Sequence, residues 1–479
     1  MRRMTVGRTG LETARQGSTG FGTGGRIGSG RIAAVAGLTA LAAVWPTAAF
    51  AQDAVTVVEA ANSTQFVFNT LLFLIGGFLV MWMAAGFAML EAGFVRTKNV
   101  SMQCLKNIML YSLAGLMFWF FGYDVLYAGV SDYVNFGALF GPGSTIEPVG
   151  LAGVDDAASA AVQAAALDTG YSLASDWFFQ MVFCATTASI VSGTVAERIK
   201  FWPFFIFVAV LTAFIYPVVA SWEWGGGFLD DMGFSDFAGS TLVHSTGGWA
   251  ALVGAIIIGP RLGKYVGGKV VPIPASNIPL VTLGTFILWL GWFGFNGGSQ
   301  LAAGTIGDVS DVSRIFVNTN MAAAGGVIAA IVYTQLRYGK IDVTLALNGA
   351  LAGLVAITAE PLAPSVELSI LIGAIGSILA CLTVPLLDKL KIDDVVGAIP
   401  VHLVAGIFGT LAVAISYPET LVAQIVGVVA TGIFVSVVSA IVWFALKLTI
   451  GLRPSEEDEI AGLDQSEIGV PAYSEFVTG

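Results

Sequence analysis

Charged side chains are scarce in this sequence: Asp, Glu, Lys and Arg together supply 11% of 479 residues, less than half of the about 25% usual for soluble domains. A soluble globular chain of this length could not cover its surface with so few. Basic residues are fewer than acidic ones, the net charge is −11, and no basic patch exists, which excludes nucleic acid as a partner. The three cysteines, Cys104, Cys184 and Cys381, lie in or beside apolar segments; that excludes a disulfide framework and a CxxC metal site. Histidine is the scarcest of all, with His244 and His402 the only two. What the chain has instead is 56% hydrophobic residues, 59 glycines and a mean hydropathy of +0.83. These numbers describe a polytopic all-α membrane protein.

Residues 1–51 read as a cleavable signal peptide. Six Arg and one Glu fall in the first 31 residues, a short apolar stretch follows over 32–44, and Ala49-Phe50-Ala51 supplies an A-x-A site before Gln52. Removal would leave 15 basic and 31 acidic residues, a net charge of about −16. A transmembrane domain over 52–450 and a tail over 451–479 complete the chain. Eleven segments have spanning length, at about 20 residues each: 66–93, 103–128, 177–196, 201–221, 240–259, 278–297, 315–336, 343–359, 366–387, 399–416 and 420–446. The third is the most polar, with Gln180, Thr186, Thr187, Ser189 and Ser192, and such a helix is expected to face a cavity or another helix.

Of the fifteen basic residues beyond the leader, fourteen fall on alternate loops and the tail, and Arg314 is the exception. Basic loops stay cytoplasmic, which gives an N-out, C-in topology. An odd helix count suggests two halves of five, inverted with respect to each other, plus one extra helix. Val243-His244-x-x-x-Gly248 in the fifth segment recurs as Val401-His402-x-x-x-Gly406 in the tenth, and the two copies carry the chain's only histidines.

Ionisable groups within a membrane mark functional sites by default, and an imidazole can donate, accept and pass a proton. A lone membrane histidine is often a packing residue; two in matched contexts argue for a pair near the midplane. No third ligand has a spacing that would make them a metal site. Before His244 lies Ser221-Trp222-Glu223-Trp224-Gly225-Gly226-Gly227, then Asp236-Phe237-Ala238-Gly239, in an external loop. Trp faces attract cations, although an interfacial aromatic belt alone accounts for Trp222. Asp236 could be a helix cap, an electrostatic aid to a cation, or both. Gly291-Trp292-Phe293-Gly294-Phe295-Asn296-Gly297-Gly298-Ser299 combines aromatic rings with glycines that permit close helix approach; it reads as a gate or as core packing.

These stretches resemble the ammonium transporter (Amt/Mep/Rh) family, of bacterial Amt type, over residues 60–475. Asp236-Phe237-Ala238-Gly239-Ser240-Thr241-Leu242-Val243-His244 carries the resemblance most strongly. The Gly291–Ser299 stretch, Ala196-Glu197-Arg198, Phe87-Ala88-Met89-Leu90-Glu91-Ala92-Gly93 and the tail from Gly451 to Asp464 support it. The resemblance implies an external recruitment site for ammonium at Trp224, Phe183 and Ser299 with Asp236 beside it. It also implies a phenyl gate of Phe183 and Phe295 with Trp292 lining the pore, and a proton-relaying pair of His244 and His402. Ammonia is then the conducted species. No cofactor, metal or catalytic residue is implied. A homotrimer in the bacterial inner membrane is, together with a PII-type signal protein at the cytoplasmic face. One departure is that Gly397 stands where relatives often have Asp before the second histidine, with Pro400 directly preceding Val401.

Three other classes fit less well. An ammonium sensor signalling through the C-terminal tail needs an output, and the 27 residues after Leu452 hold no recognisable signalling domain. A channel for neutral gas has no use for the cation-attracting Trp224. An intramembrane enzyme lacks a nucleophile–base pair or an HExxH stretch.

Overall fold

The computed structural model describes residues 44–127, 133, 157, 164 and 167–473. The chain divides into two compact units, Met1–Ser63 and Thr64–Gly479, and the second carries everything below except the start of the first helix. Residues 1–43, which include the basic part of the expected leader, lie outside the described residues.

Among the described residues, eleven helices match the eleven expected segments. They are α1 (Val44–Phe94, of which Asn62–Phe94 is the spanning stretch), α2 (Thr97–Tyr127), α3 (Leu173–Thr194) and α4 (Phe201–Ser221). Then come α5 (Ser240–Ile258), α6 (Ile278–Gly298), α7 (Ile306–Tyr338) and α8 (Val343–Ile357). The last three are α9 (Val366–Lys389), α10 (Ile399–Ser416) and α11 (Pro418–Thr449). Nine are long and apolar enough to cross a membrane unaided; α3 is too polar and α8 too short. The polarity of α3 has a packing reason. Residues 179–194 are all buried, and Thr186, Thr187 and Ser189 each donate their hydroxyl to the carbonyl four residues back. Its polar side chains therefore meet protein rather than lipid.

Helix ends follow local chemistry. Thr305 and Asp308 form a reciprocal capping box at the start of α7, and Asp342 accepts from the amides of Thr344 and Leu345 to start α8. Backbone contact between helices replaces side-chain interdigitation where residues are small. A Cβ on Gly373 of α9 would sit 2.0 Å from the carbonyl oxygen of Ala322 in α7, and one on Gly326 of α7 would sit 2.2 Å from that of Gly349 in α8.

Loops sort to two ends. At one end, Glu197 of loop 3–4 pairs with Arg96 of loop 1–2 and, at 2.9 Å, with Arg261 of loop 5–6. Arg261 in turn grips Asp393 of loop 9–10 through Nε and Nη2 at 2.8 and 2.9 Å. At the other end, Gln424 at the start of α11 bonds both backbone groups of Ser235 in loop 4–5, and Phe237 donates to Ala359 in loop 8–9. The alternation expected from the basic residues is thus realised, and α1–α5 and α6–α10 run in opposite senses. Arg314, the exception, lies at the second end because its guanidinium caps the carbonyls of Ala363 and Pro364.

The acidic tail packs against the first end. Glu459 accepts from Arg453 and from the amide of Leu262, and Asp464 accepts from the amides of Ser101 and Met102. Leu463 is fully buried there, so the tail is docked through Glu459, Leu463 and Asp464, while Glu456, Glu457 and Asp458 stay exposed. Glu197 adopts a left-handed φ of 67°, a cost of about 1–2 kcal/mol for a side chain with a Cβ. Its carboxylate's bonds to Arg96, Asn99 and Arg261 hold it there.

Two stability outcomes follow from this packing. Gly373→Ala is expected to cost roughly 1–3 kcal/mol by forcing α7 and α9 apart, read as a lowered unfolding midpoint in detergent. Burial pushes the Asp393 carboxyl up, yet the Arg261 and Arg198 guanidiniums hold it well below the usual carboxylate range. That contribution is complete above the unfolded value near about 4 and is lost as pH falls through the lower folded value. Arg261→Ala strands the buried Asp393 carboxylate and removes one of the partners of Glu197, and is expected to cost about 3–5 kcal/mol. An unchanged midpoint at pH 7 would show that the ion cluster does not hold the loops together.

Candidate functional site

The two histidines occupy the first turn of α5 and of α10, and both turns are wound as π-helix: Ser240–Ser245 and Ile399–Val404. Each turn begins just after a glycine with positive φ, Gly239 at 101° and Gly397 at 81°, where any other residue would be strained. Each is preceded by an aspartate that caps it. The Asp236 carboxylate accepts four amides, from Gly239 and Ser240 on Oδ1 and from Thr241 and Leu242 on Oδ2, at 2.7 to 3.2 Å. The Asp394 carboxylate accepts the amides of Gly397 and Ile399 at 3.1 and 2.7 Å, and the Thr194 hydroxyl at 3.1 Å.

This corrects the reading of Gly397 as a replaced aspartate. In both copies the aspartate stands three residues before the glycine and eight before the histidine. Pro400 fits because it occupies the first turn, where a missing amide leaves no carbonyl unpaired.

The symmetry brings the rings together. His244 and His402 face each other Nδ1 to Nδ1 at 3.2 Å, with ring planes 23° apart. A hydrogen bond of that kind needs one ring to donate and the other to accept, so the pair holds one bridging proton on either side. Both rings are buried, and His244 Nε2 has no partner among the described residues.

Aromatic rings continue the line toward the end that carries loop 4–5. Trp292 and Phe295 of α6 lie over His244, with centroids 5.0 and 5.2 Å away and planes within 29°. The Trp292 indole is pinned by its bond to Thr358 Oγ1 at 2.8 Å. Phe295 stacks on Phe183 of α3 at 4.0 Å and 21°, and both rings are buried. Trp224 meets Phe183 edge-on at 6.1 Å and remains partly exposed, with its Nε1 donating to the Asp236 carbonyl at 3.2 Å. Ser299 caps α6, and its hydroxyl donates to the Phe295 carbonyl at 2.9 Å. In the opposite direction Phe87 lies 6.2 Å from His402, and beyond it opens a narrow cavity lined by Glu91, Ser189, Asn348, Val396 and His402.

Trp224, Phe183, Phe295, His244 and His402 therefore lie along one column in that order, with Trp292 beside His244, and Ser299 touches it through the Phe295 carbonyl. The Asp236 carboxylate is the exception in kind. It is saturated by backbone amides and touches the column through its carbonyl and through charge. Sequence reasoning missed Asp394, whose signal was the repeated eight-residue spacing, and Thr358, which a sequence cannot place against an indole 66 residues away.

Comparison with known proteins identifies the family. A sequence model of the Ammonium Transporter Family matches residues 71–473. Ammonium transporter Amt2 of Archaeoglobus fulgidus is 40% identical over 445 residues, covering 84% of this chain and 88% of that protein. The ammonium transporter of Aquifex aeolicus is 35% identical, covering 85% and 93%. Among solved structures, a "Sensor Amt Protein" superposes with a TM-score of 0.76 at 34% identity, covering 84% of this chain and 99% of its own. Mep2 of Candida albicans superposes at 0.71 with 26% identity, covering 87% and 92%. With the histidine pair, the aromatic column and the eleven-helix fold in common view, the chain belongs to the ammonium transporter family.

Proposed function

We propose that this chain recruits ammonium at its outer face, removes a proton, and conducts ammonia through the histidine-lined column to the cytoplasm. The observation that carries the reading is the Nδ1–Nδ1 contact of His244 and His402 inside an apolar ring column. An unpaired ammonium ion in such surroundings would cost on the order of tens of kcal/mol. Neutral ammonia carries no such cost, and its lone pair and N–H groups match the acceptor and donor faces of the two imidazoles.

Trp224 supplies the cation–π face at the mouth, with the Phe183 ring and the Ser299 hydroxyl completing recruitment. Asp236 assists by holding the Trp224 indole and by adding a fixed negative charge, and deprotonation takes place beside it. Ammonia then passes Phe183 and Phe295 when the stacked rings swing apart, with Trp292 lining the way. His244 and His402 hold it by hydrogen bonds and hand the proton along separately. The site residues lie in the membrane-spanning domain over 52–450, after removal of the leader over 1–51. The same resemblance supports a homotrimer in a bacterial inner membrane and a PII-type signal protein docking beside the tail over 451–479.

A second reading, an ammonium sensor, is favoured by the likeness to the structure named "Sensor Amt Protein". Growth of a transport-deficient host on low ammonium separates the two: a transporter restores growth, and a sensor does not.

In liposomes under an ammonium gradient, the His244→Ala/His402→Ala double variant is expected to lose flux by about 100-fold or more; wild-type flux and selectivity in that variant would sink the relay role. Trp224→Leu is expected to raise the half-saturating ammonium concentration by about 3- to 30-fold, the worth of one cation–π contact of about 0.5–2 kcal/mol, with little change in maximal rate. A fall in maximal rate at unchanged half-saturation would place Trp224 elsewhere in the cycle.

A further inference from the structure

The cavity below His402 is walled on one side by a carboxylate that the relay as described does not use. Glu91, on α1, is 1% exposed. Three donors converge on its Oε2: the amides of Gln103 and Asn107 and the hydroxyl of Ser192, the last two at 2.7 and 3.0 Å. Its Oε1 has no hydrogen-bond partner among the described residues. That oxygen lies toward the cavity: a Cβ built on Gly193 would touch both Glu91 Oε1, at 3.3 Å, and the cavity-lining Val396 side chain. Such one-sided satisfaction of a buried carboxyl is costly unless the free oxygen has a transient partner.

The inverted repeat sharpens the point. Phe87 packs on His402, with Glu91 four residues later and Gly93 two beyond; Trp292 stacks on His244, with Asn296 four residues later and Gly298 two beyond. Glu91 is tied to α2 through Gln103 and Asn107, and Asn296 is tied to α7 through Thr319. The two halves therefore place a carboxyl and an amide at matching positions, and of the two groups only the carboxyl can hold and release a proton.

We propose that Glu91 is the proton-returning group at the inner mouth of the pore, where ammonia is converted back to ammonium. Resting on the reading above, the step is a simple transfer. Ammonia arriving past His402 takes the proton of the Glu91 carboxyl: the Oε1–H bond breaks, a bond forms on the nitrogen lone pair, and ammonium leaves into the cytoplasm. The carboxylate is then reprotonated by the proton that the cation gave up outside, delivered through His244 and His402. Lys106 of α2 faces the same cluster. Its ammonium donates to Gln103 Oε1 at 3.2 Å and to the Ser192 carbonyl at 3.0 Å, and so favours the carboxylate once the proton has left. Arg198 acts on Lys106 through its charge, and Asp394 has its oxygens occupied by the amides of Gly397 and Ile399 and by Thr194. His402 is the titratable group on the pore side.

Liposomes with a lumenal pH dye, on a solid-supported electrode, read current and lumenal pH together under an inward ammonium gradient. Returned protons make the wild type carry current with little lumenal alkalinisation. Glu91→Gln keeps the shape and the Oε2-side bonds, and is expected to lower current at least about tenfold while nitrogen still enters and the lumen turns alkaline. Glu91→Asp is expected to recover part of the current with an altered dependence on lumenal pH; it carries the test alone if Glu91→Gln does not insert. Wild-type current and lumenal pH in Glu91→Gln, or an unaltered profile in Glu91→Asp, would overturn the role of Glu91 and leave the histidine relay standing. Equal loss of current and nitrogen influx in both variants would make Glu91 structural. A wild type that moves nitrogen without current would overturn the relay and this proposal together.

Discussion

The contact between His244 and His402 can exist only when one ring donates from Nδ1 and the other accepts at Nδ1, and much of the transmembrane domain serves that condition. Each ring comes from the first turn of a helix, and the two helices belong to halves running in opposite senses. A helix starting inside a membrane exposes amides with no partner, and no water is at hand to satisfy them. Asp236 and Asp394 answer that need, and Gly239 and Gly397 supply the left-handed residue that lets the chain turn back onto the capping carboxylate. The π-helical winding of both turns then sets where the imidazoles point. Aspartate, glycine and histidine at fixed spacing are thus one device used twice.

With the donors and acceptors of the two rings committed to each other and to whatever passes, the rest of the column has to be apolar. Trp292, Phe295, Phe183 and Phe87 provide this, and each is held by something outside the column: Thr358 for the indole, and tight packing for the phenyl rings. Phe183 and Phe295 are stacked at 4.0 Å, and in the proposed function that contact keeps a hydrated cation from travelling intact. A neutral, small, hydrogen-bonding molecule is what such a column passes at lowest cost. In the proposed function selectivity thereby comes from what the interior withholds, and affinity from the partly exposed Trp224 at its edge.

Much of this was legible before any coordinates. Eleven apolar segments and the sorting of fourteen basic residues to alternate loops carried the helix count and topology, because hydrocarbon leaves few options for a backbone. The repeated Val-His-x-x-x-Gly pointed to the histidine pair because the chain has no other histidine. The third segment showed its burial through its polarity. What stayed hidden depended on contacts between distant residues. Asp394 was passed over because a local comparison set it against Gly397, and only the shared cap geometry gives the right register. The docking of the tail through Glu459 and Asp464 shows only when Lys98 and the amides of loops 1–2 and 5–6 are seen around it. Glu91 sat inside a stretch valued for its resemblance, with nothing local to say that one of its oxygens faces a cavity.

The two aspartates also narrow where proton chemistry can take place. Asp236 is saturated by four backbone amides and Asp394 is held by two amides and the Thr194 hydroxyl, so protonating either one breaks a helix cap in the same step. A group that cycles its proton on every transport event cannot also be such a cap without loosening the turn that holds its histidine. Asp236 and Asp394 are therefore suited to fixed charge and to positioning. The cycling groups have to be side chains whose hydrogen bonds survive either protonation state. The histidines meet this requirement by exchanging donor and acceptor roles. Glu91 meets it by gathering its permanent bonds on one oxygen and keeping the other toward the cavity. The inverted repeat makes the scaffold nearly symmetric, and with the role proposed for Glu91 the Asn296 amide at the matching position of the other half makes the chemistry at the two mouths different.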